Sequence, residues 1–200
     1  MYENARVAVD PVIFTIAHGR LKVALQLREK PPFQACFELM GGLLREKQTA
    51  EELLVGKLKD VLGERVFFRQ FYTFTSPNRD PRGRTVSIGF IALVREEIIN
   101  EKKQWFDVDS LPKMAFDHKE ITLKACQYLK ENLNSELVQQ FLPARFPLNR
   151  LQKIHEIIKK EIFDNRNFRK KMLASGLIEE ANEIETGVAH RPARLFRFTA

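Results

Sequence analysis

The sequence predicts an α+β protein of two domains, a mixed sheet with helices followed by a small helical domain that ends in a hairpin. Three observations lead to this class. Residues 1–95 alternate apolar and polar positions as strands do, with one helical stretch among them. After Trp105 the apolar residues recur at helical spacing. The segment Phe141–Pro147 contains two prolines and is typical of a linker, so we place the domains at residues 1–142 and 143–200.

Three strands open the first domain. Apolar runs at residues 7–17 and 21–27 flank His18-Gly19, a turn dipeptide, and this arrangement predicts a hairpin. A third strand is predicted at Phe37–Met40, directly before Gly41-Gly42.

The first helix is predicted at Ala50–Leu62. Thr49 and Glu52 have the spacing of a capping box, in which each side chain satisfies the backbone of the other residue. The leucines that follow form one apolar stripe at helical spacing. Gly63 is placed to end the helix.

A second helix is predicted to begin near Asp117 and to reach about Asn132. Asp117 and Glu120 repeat the capping-box spacing, and an apolar stripe follows them. Because the capping box accounts for Asp117, the neighbouring His118 is predicted to be an exposed residue of the first helical turn.

The second domain has a different pattern. An apolar repeat predicts one helix over Asn149–Ile162, and a second, short helix is predicted at Arg166–Ser175, where Gly176 ends it. Residues Arg194–Phe198 alternate as a strand. Helix, turn, helix and hairpin together are the layout of a winged helix-turn-helix.

Composition and charge exclude several classes of protein. The 44% hydrophobic content with 16 phenylalanines rules out a disordered chain. No apolar run is long enough to cross a bilayer, and the N-terminus lacks the basic cap and apolar stretch of a secretion signal. The net charge of +7 is divided into +2 over residues 1–142 and +5 over residues 143–200. The second domain is therefore predicted to bind a negatively charged partner.

The segment Gly42–Glu64 has the length and frame of a Nudix box, G-x5-E-x7-R-E-U-x-E-E-x-G-U, in which U is a bulky apolar residue. Gly42, Leu58 and Gly63 match this frame. The positions that would perform hydrolysis mostly do not match, and they are occupied by Gln48, Gly56, Lys57, Asp60 and Val61.

This departure removes most of the carboxylates that would hold a divalent metal ion. We therefore predict no catalytic residue, no metal site and no cofactor, and a cleft that binds phosphates without hydrolysing them. Lys57 stands where a metal ligand is expected and is predicted to pair directly with a pyrophosphate; the alternative is a solvated helix lysine.

A polar loop between strands predicted at Phe67–Phe74 and Val86–Val94 supplies further candidates for phosphate binding. It places three guanidinium groups within Asn78–Arg84, and arginine suits bidentate contacts with phosphates. A mobile, solvated hairpin is the alternative. Phe33, Phe71 and Tyr72 could stack on a base, although core packing would also explain each of them. The predicted effector-binding residues are Phe33, Gly42, Lys57, Phe71, Arg79, Asp80 and Arg82.

The helix predicted at Arg166–Ser175 has basic residues on one side, with Phe168, Met172 and Leu173 predicted to pack behind them. A helix divided in this way can enter a major groove, where arginine and asparagine contact guanine and adenine. A solvated basic face is the alternative. The predicted base contacts are Asn167 and Arg169, and the predicted DNA-binding residues also include Arg166, Lys170, Lys171, Arg191 and Arg194, most of them on phosphates.

The order of these motifs along the chain resembles the Nudix-related transcriptional regulators, the NrtR family. The resemblance covers nearly the whole chain, and its most specific part is Asn165–Met172. The other matching segments are Gly41-Gly42, Asn78–Gly83, Trp105-Phe106, Ala115–Ile121, Phe146–Leu148 with Leu151-Gln152, and Arg191–Ala193.

The resemblance implies a Nudix-like α/β/α domain followed by a winged helix, in a bacterial homodimeric repressor of genes for NAD biosynthesis and salvage. Members release DNA when they bind ADP-ribose, and relatives respond instead to sugars such as arabinose. A palindromic double-stranded operator and a cytoplasmic protein on the nucleoid are expected, with no membrane partner. The alternative is a Nudix hydrolase of ADP-ribose or a related nucleoside diphosphate, which the low carboxylate count of Gly42–Glu64 disfavours.

Overall fold

The computed structural model describes residues 4–62, 66–98, 104–133, 136–187, 189 and 191–199. Gly63 and Glu64 of the box lie outside this part. The contacts divide the chain into two compact units, Met1–Tyr128 and Leu129–Ala200. This division falls earlier than the boundary we predicted after Leu142. Phe141 and Leu142, which we predicted to begin an exposed linker, are buried.

Strands and helices of the described residues have the following bounds. The strands are β1 (Arg6–Ala17), β2 (Arg20–Leu27), β3 (Phe37–Glu38), β4 (Gly42–Leu43), β5 (Phe68–Phe74), β6 (Thr85–Val94), β7 (Gln104–Asp107), β8 (Phe146–Pro147), β9 (Ile178–Ile184) and β10 (Arg194–Phe198). The helices are α1 (Ala50–Leu62), α2 (His118–Glu131), α3 (Glu136–Gln139), α4 (Leu148–Lys159) and α5 (Asn165–Ala174). Short 3-10 turns lie at Glu96–Ile98 and Val108–Ser110. None of the described helices has the combination of length and apolar character that crossing a bilayer requires.

A mixed sheet forms the first unit. Its strand order is β3-β2-β1-β6-β5, with β4 paired to β1 and β7 paired to β2. The long central strands β1 and β6 are parallel, and the other pairs are antiparallel. The predicted hairpin β1–β2 is confirmed. The strand predicted at Phe37–Met40 is shorter, and the sequence pattern missed β4 and β7, which have only two and four residues.

Helix α1 has the bounds predicted for it, and its capping box is formed. The Glu52 N–H donates to the Thr49 hydroxyl at 3.1 Å, and the Thr49 N–H donates to the Glu52 carboxylate at 2.9 Å. Leu54 and Leu58 of the apolar stripe pack into the core with residues of β1 and β6. Burying two such side chains contributes several kcal/mol, which explains why this segment folds as a helix against the sheet.

The second unit is a helix-turn-helix with a three-stranded sheet of order β8-β10-β9. The strand β8 lies within the segment predicted as a linker and pairs with β10. Helix α4 ends before the predicted Ile162, because Lys160 adopts a left-handed conformation (φ 61°) and its N–H donates to the Glu156 carbonyl at 2.7 Å. Ile162 is consequently 95% exposed.

Candidate functional site

An open cleft with a cavity volume of about 170 Å³ lies in the first unit. The strand β1, the segment 38–43, the polar loop before β6 and the start of α2 surround it. The lining residues are Ala8, Asp10, Arg28, Glu38, Leu39, Gly41, Gly42, Leu43, Arg79, Asp80, Arg82, Thr85, Phe116 and His118.

Arg79 is buried at the base of the cleft, with its side chain only 4% exposed. Its guanidinium donates to both oxygens of Asp117, at 2.8 and 2.7 Å, and to Asp10 Oδ2 at 3.3 Å. Asp10 also accepts a short hydrogen bond from the Ser87 hydroxyl. Arg79 therefore ties the polar loop to β1, β6 and the start of α2, and its charge is already paired within the protein.

This arrangement corrects our prediction for Asp117. Its carboxylate accepts a bidentate pair of hydrogen bonds from Arg79 and does not form the capping box that its spacing with Glu120 suggested. The prediction for His118 is also wrong, because this side chain is buried and lines the cleft. His118 Nδ1 accepts from the Leu39 N–H at 3.0 Å, and Nε2 lies 3.7 Å from Asp10 Oδ1.

Asp80 organises the polar loop around Arg82. It accepts from the Arg82 backbone N–H, Nε and Nη2 at 2.8 to 2.9 Å. Burial alone would raise the pKa of Asp80, but these hydrogen bonds and the charges of Arg82 and Arg6 lower it from 3.8 to about 2. The buried carboxylate of Asp80 thus holds the loop in place through its hydrogen bonds to Arg82. This order differs from the mobile, solvated hairpin that was the alternative prediction.

Two arginines lie close to the ring of Phe116 at the mouth of the cleft. The guanidinium carbons of Arg28 and Arg82 are 4.9 and 5.0 Å from the ring centroid, within the range of a cation–π interaction. Arg28 also donates to Glu38 at 2.7 Å. The Phe33 ring makes an edge-to-face contact with Phe116 at 4.9 Å.

The predicted effector residues do not all meet in this cleft. Gly42, Arg79, Asp80 and Arg82 line it; three others do not. Lys57 lies beside Gly42, because its Cε atom is 3.5 Å from the position that a Cβ atom on Gly42 would occupy. Lys57 makes no ion pair with any described residue. Phe33 reaches the cleft only through its contact with Phe116. Phe71 packs on Phe74 and Tyr128, which is the core packing that its sequence also allowed.

Sequence reasoning missed ten of the fourteen lining residues, and those with charged or aromatic side chains are Asp10, Arg28, Glu38, Phe116 and His118. Asp10 is the one acidic residue within the apolar run of β1, and a buried carboxylate in such a strand requires a partner. This acidic residue in an otherwise apolar strand was the feature of the sequence that could have identified Asp10 as a residue of the cleft. Phe116 has a positive φ of 50°, which a sequence alone does not reveal.

The residues described hold no group of three or more His, Cys, Asp or Glu side chains arranged to bind a metal ion. In the box, Gly56 and Asp60 are exposed on α1, and Glu52 is engaged in the capping box. The donor set found here does not fit the clustered oxygen ligands that Mg²⁺ prefers.

Helix α5 of the second unit presents a basic face. Asp164 caps it by accepting from the Asn167 N–H at 2.9 Å, while Phe168 and Met172 are buried beneath it. The buried Gln152 of α4 donates to the Phe163 carbonyl and to Asn165 Oδ1, at 2.9 and 2.8 Å, and so fixes the turn before α5. The predicted DNA-binding residues of this helix, Arg166, Asn167, Arg169, Lys170 and Lys171, are all exposed. Leu173, which we predicted to be packed, is 38% exposed.

The wing, defined here as the β9–β10 hairpin, engages two of the predicted DNA-binding arginines. Glu180 of β9 accepts from Arg169 at 2.9 Å and from Arg194 at 3.0 Å. Arg191 precedes β10 and is exposed. His155 of α4 is buried against the Phe168 ring. Burial, together with the charges of Lys159 and Lys171, lowers the pKa of His155 from 6.5 to about 4.

Comparisons with known proteins agree with this division into two units. Residues 138–198 match the model of the NrtR DNA-binding winged helix domain. The ADPR responsive transcriptional repressor NtrR of Acinetobacter baylyi is 28% identical over 98% of this chain and 83% of its own length. An ADP-ribose pyrophosphatase of Methanocaldococcus jannaschii is 35% identical over 60% of this chain and 73% of its own length.

Solved structures give the same result. The crystal structure of Shewanella oneidensis NrtR in complex with a 27mer DNA superposes with a TM-score of 0.84 and 25% identity, covering 96% of this chain and 93% of that one. The Nudix domain of the same protein, in complex with ADP-ribose, has a TM-score of 0.56 and 25% identity, covering 64% of this chain and 90% of that one. With a Nudix-type unit before a unit that matches the NrtR winged helix model, this chain is similar over nearly its whole length to the Nudix-related transcriptional regulators of the NrtR family.

Proposed function

We propose that this protein is a transcriptional repressor whose winged helix binds DNA and whose Nudix domain binds ADP-ribose, which releases the DNA. The observation that carries the proposal is the exposed basic face of α5 in a unit that matches the NrtR winged helix model. By the family resemblance, the regulated genes are those of NAD biosynthesis and salvage. The protein acts as a homodimer on a palindromic operator, since one small module contacts few base pairs, and it works in the bacterial cytoplasm on the nucleoid.

The composition of the cleft supports a ligand that carries both phosphates and hydroxyl groups. Its lining includes three arginines and three carboxylates, so it does not suit a bare polyanion. Arg82 uses Nε and Nη2 for Asp80, and its Nη1 makes no hydrogen bond with any described residue, which leaves a donor for phosphate. Lys57, beside Gly42, is a second cation at the rim. Phe116 offers a ring for stacking, and Glu38 offers an acceptor for a ribose hydroxyl.

On the DNA side, we assign Arg166, Asn167 and Lys170 to the surface that enters the major groove. Lys171 and Arg191 are assigned to phosphates. The charge of +5 over residues 143–200 supports binding to a phosphate backbone.

Hydrolysis of ADP-ribose is the second candidate function, because a relative that is 35% identical is an ADP-ribose pyrophosphatase. We infer that this chain has lost the reaction. Activating a water for attack on a diphosphate requires clustered carboxylates that hold Mg²⁺, and Gly56 and Lys57 stand at two of the positions concerned.

Two assays test the proposal and separate the candidates. In the first, the full chain selects duplexes from a random-sequence pool, and fluorescence anisotropy follows the selected duplex while ADP-ribose, NAD and arabinose are added in turn. Release by ADP-ribose alone is expected. In the second, turnover of ADP-ribose is measured with Mg²⁺, and none is expected.

Other outcomes would change the assignment. Release by arabinose alone would make the protein a sugar-responsive regulator of the same architecture. Robust Mg²⁺-dependent cleavage without selection of any duplex would make it a hydrolase.

A further inference from the structure

We infer that Arg169 is a positioning residue that, together with Glu180, fixes helix α5 against the wing, and that it does not contact bases. This inference rests on the proposed DNA-binding function. It replaces our prediction from the sequence, in which Arg169 was a base contact.

The geometry of α5 separates Arg169 from the outward face. Phe168 and Met172, four residues apart, are buried and define the inward face of the helix. With 100° between successive residues, Lys170 points away from that face, and Arg166 lies one turn before it on the same stripe. Arg169 falls between the inward and outward faces, on the flank beside β9. Lys171 falls on the other flank, beside the α4–α5 turn.

Two contacts hold Arg169 on that flank, and a third joins its partner Glu180 to β10. Its guanidinium donates to Glu180 at 2.9 Å. Its guanidinium carbon lies 5.3 Å from the centroid of Phe196, a buried residue of β10. The second oxygen of Glu180 accepts from Arg194 at 3.0 Å, so one carboxylate joins α5, β9 and β10.

These contacts are those expected of a residue that positions helix α5, and not of a residue that contacts a base. To reach a base, Arg169 would have to leave both the ring of Phe196 and the carboxylate of Glu180. That carboxylate would then keep only Arg194, whose side chain is 69% exposed, as its partner beside a polyanion, where like charges repel. Arg166 and Lys170 make no ion pair with any described residue and are free to enter a groove without such a loss.

The test uses the full chain and a duplex that it selects from a random-sequence pool, together with every single-base-pair substitution of that duplex. The variants are Arg169→Ala, Glu180→Gln and their combination, and Lys170→Ala is the matched control from the same helix. Circular dichroism checks that each variant folds. If Arg169→Ala does not fold, Glu180→Gln carries the test alone, because it exchanges one partly exposed polar side chain for another of the same size.

A positioning residue affects all base pairs alike. Arg169→Ala is expected to weaken binding about 10-fold on every substituted duplex, within the range seen for single contacts, and to leave the dependence on salt unchanged. Glu180→Gln is expected to raise affinity for random DNA, because a negative charge is lost, and to lower the ratio of specific to random binding at least 5-fold. The double variant is expected to lose no more than Arg169→Ala. Lys170→Ala should lose affinity at one or two base pairs, or reduce the salt slope by about one unit.

Two results would overturn the inference. The first is a loss in Arg169→Ala that disappears when one particular base pair is substituted, which is the signature of a base contact. The second is an unchanged specificity ratio in Glu180→Gln. Failure of the wild-type chain to select any duplex would overturn the proposed DNA-binding function itself. That outcome is therefore distinct from the two results that overturn only the inference about Arg169.

Discussion

At the scale of single residues, the cleft depends on Arg79. This side chain is buried and bridges carboxylates from β1 and from the start of α2, 69 and 38 positions away in the sequence. A buried ion pair adds little to stability relative to an apolar replacement, but removing one partner leaves the other charge uncompensated. We therefore assign Arg79 to holding the cleft together and not to binding phosphate.

Arg79→Met is expected to lower the free energy of unfolding by about 3–5 kcal/mol, because Asp10 and Asp117 would remain buried without their cation. Arg20→Met is the control. It removes the ion pair with Asp107 in which the arginine is 69% exposed, and it should cost less than about 1 kcal/mol. Urea denaturation measures both, and equal losses in the two variants would contradict the assigned role of Arg79.

His155 gives a second prediction at this scale. Its pKa is lowered from 6.5 to about 4, so between these values the unfolded chain binds a proton that the folded chain does not. Stability is therefore fully present above pH 6.5 and falls as the pH drops towards 4, by up to about 3 kcal/mol.

An NMR titration of the His155 imidazole in the full chain checks this directly, and a pKa near 6.5 would contradict it. His155→Gln is expected to remove this part of the pH dependence of unfolding.

At the scale of elements, local patterns in the sequence predicted what local interactions form. The capping box of Thr49 and Glu52 fixed the start of α1 because both partners lie within four residues. The same pattern failed at Asp117, because a bidentate contact from Arg79, distant in sequence, competes for the carboxylate. Helix α4 was predicted too long since the apolar repeat continues to Ile162, while the left-handed conformation of Lys160 leaves no mark on that repeat.

The cleft was predictable only in part for the same reason. Its arginine-rich loop is a contiguous segment with a recognisable composition. Glu38 and Phe116 reach the cleft from separate segments, and their meeting depends on the pairing of β3 with β2 and on the contact of β3 with the segment before α2.

Helix α1 also gives a prediction. Gly56 lies exposed in its interior, and an added methyl group there would meet no atom within 4 Å. Gly56→Ala is expected to raise the free energy of unfolding by about 0.5–1 kcal/mol, because alanine loses less conformational freedom in a helix. Gly41→Ala is the contrasting variant. Its methyl group would overlap the Val9 carbonyl and the Asp10 carboxylate, so a loss of about 1–3 kcal/mol is expected. Thermal denaturation compares the two, and a destabilised Gly56→Ala would contradict this account.

At the scale of the whole molecule, the chain joins a cleft for a small ligand to a unit for DNA. Release of DNA by the ligand requires that the ligand bind the DNA-free form more tightly than the DNA-bound form. Such coupling is reciprocal, so DNA must weaken the binding of ADP-ribose by the same factor. A coupling of 1–3 kcal/mol, typical of allosteric proteins, corresponds to a factor of roughly 5 to 150.

The dissociation constant for the selected duplex, measured with and without saturating ADP-ribose, tests this coupling most directly. We expect ADP-ribose to raise it at least about 5-fold, with an equal loss of ADP-ribose affinity when DNA is bound. Arg82→Ala should bind DNA as the wild type does and need more ADP-ribose for release. An unchanged dissociation constant for DNA at saturating ADP-ribose would contradict the account.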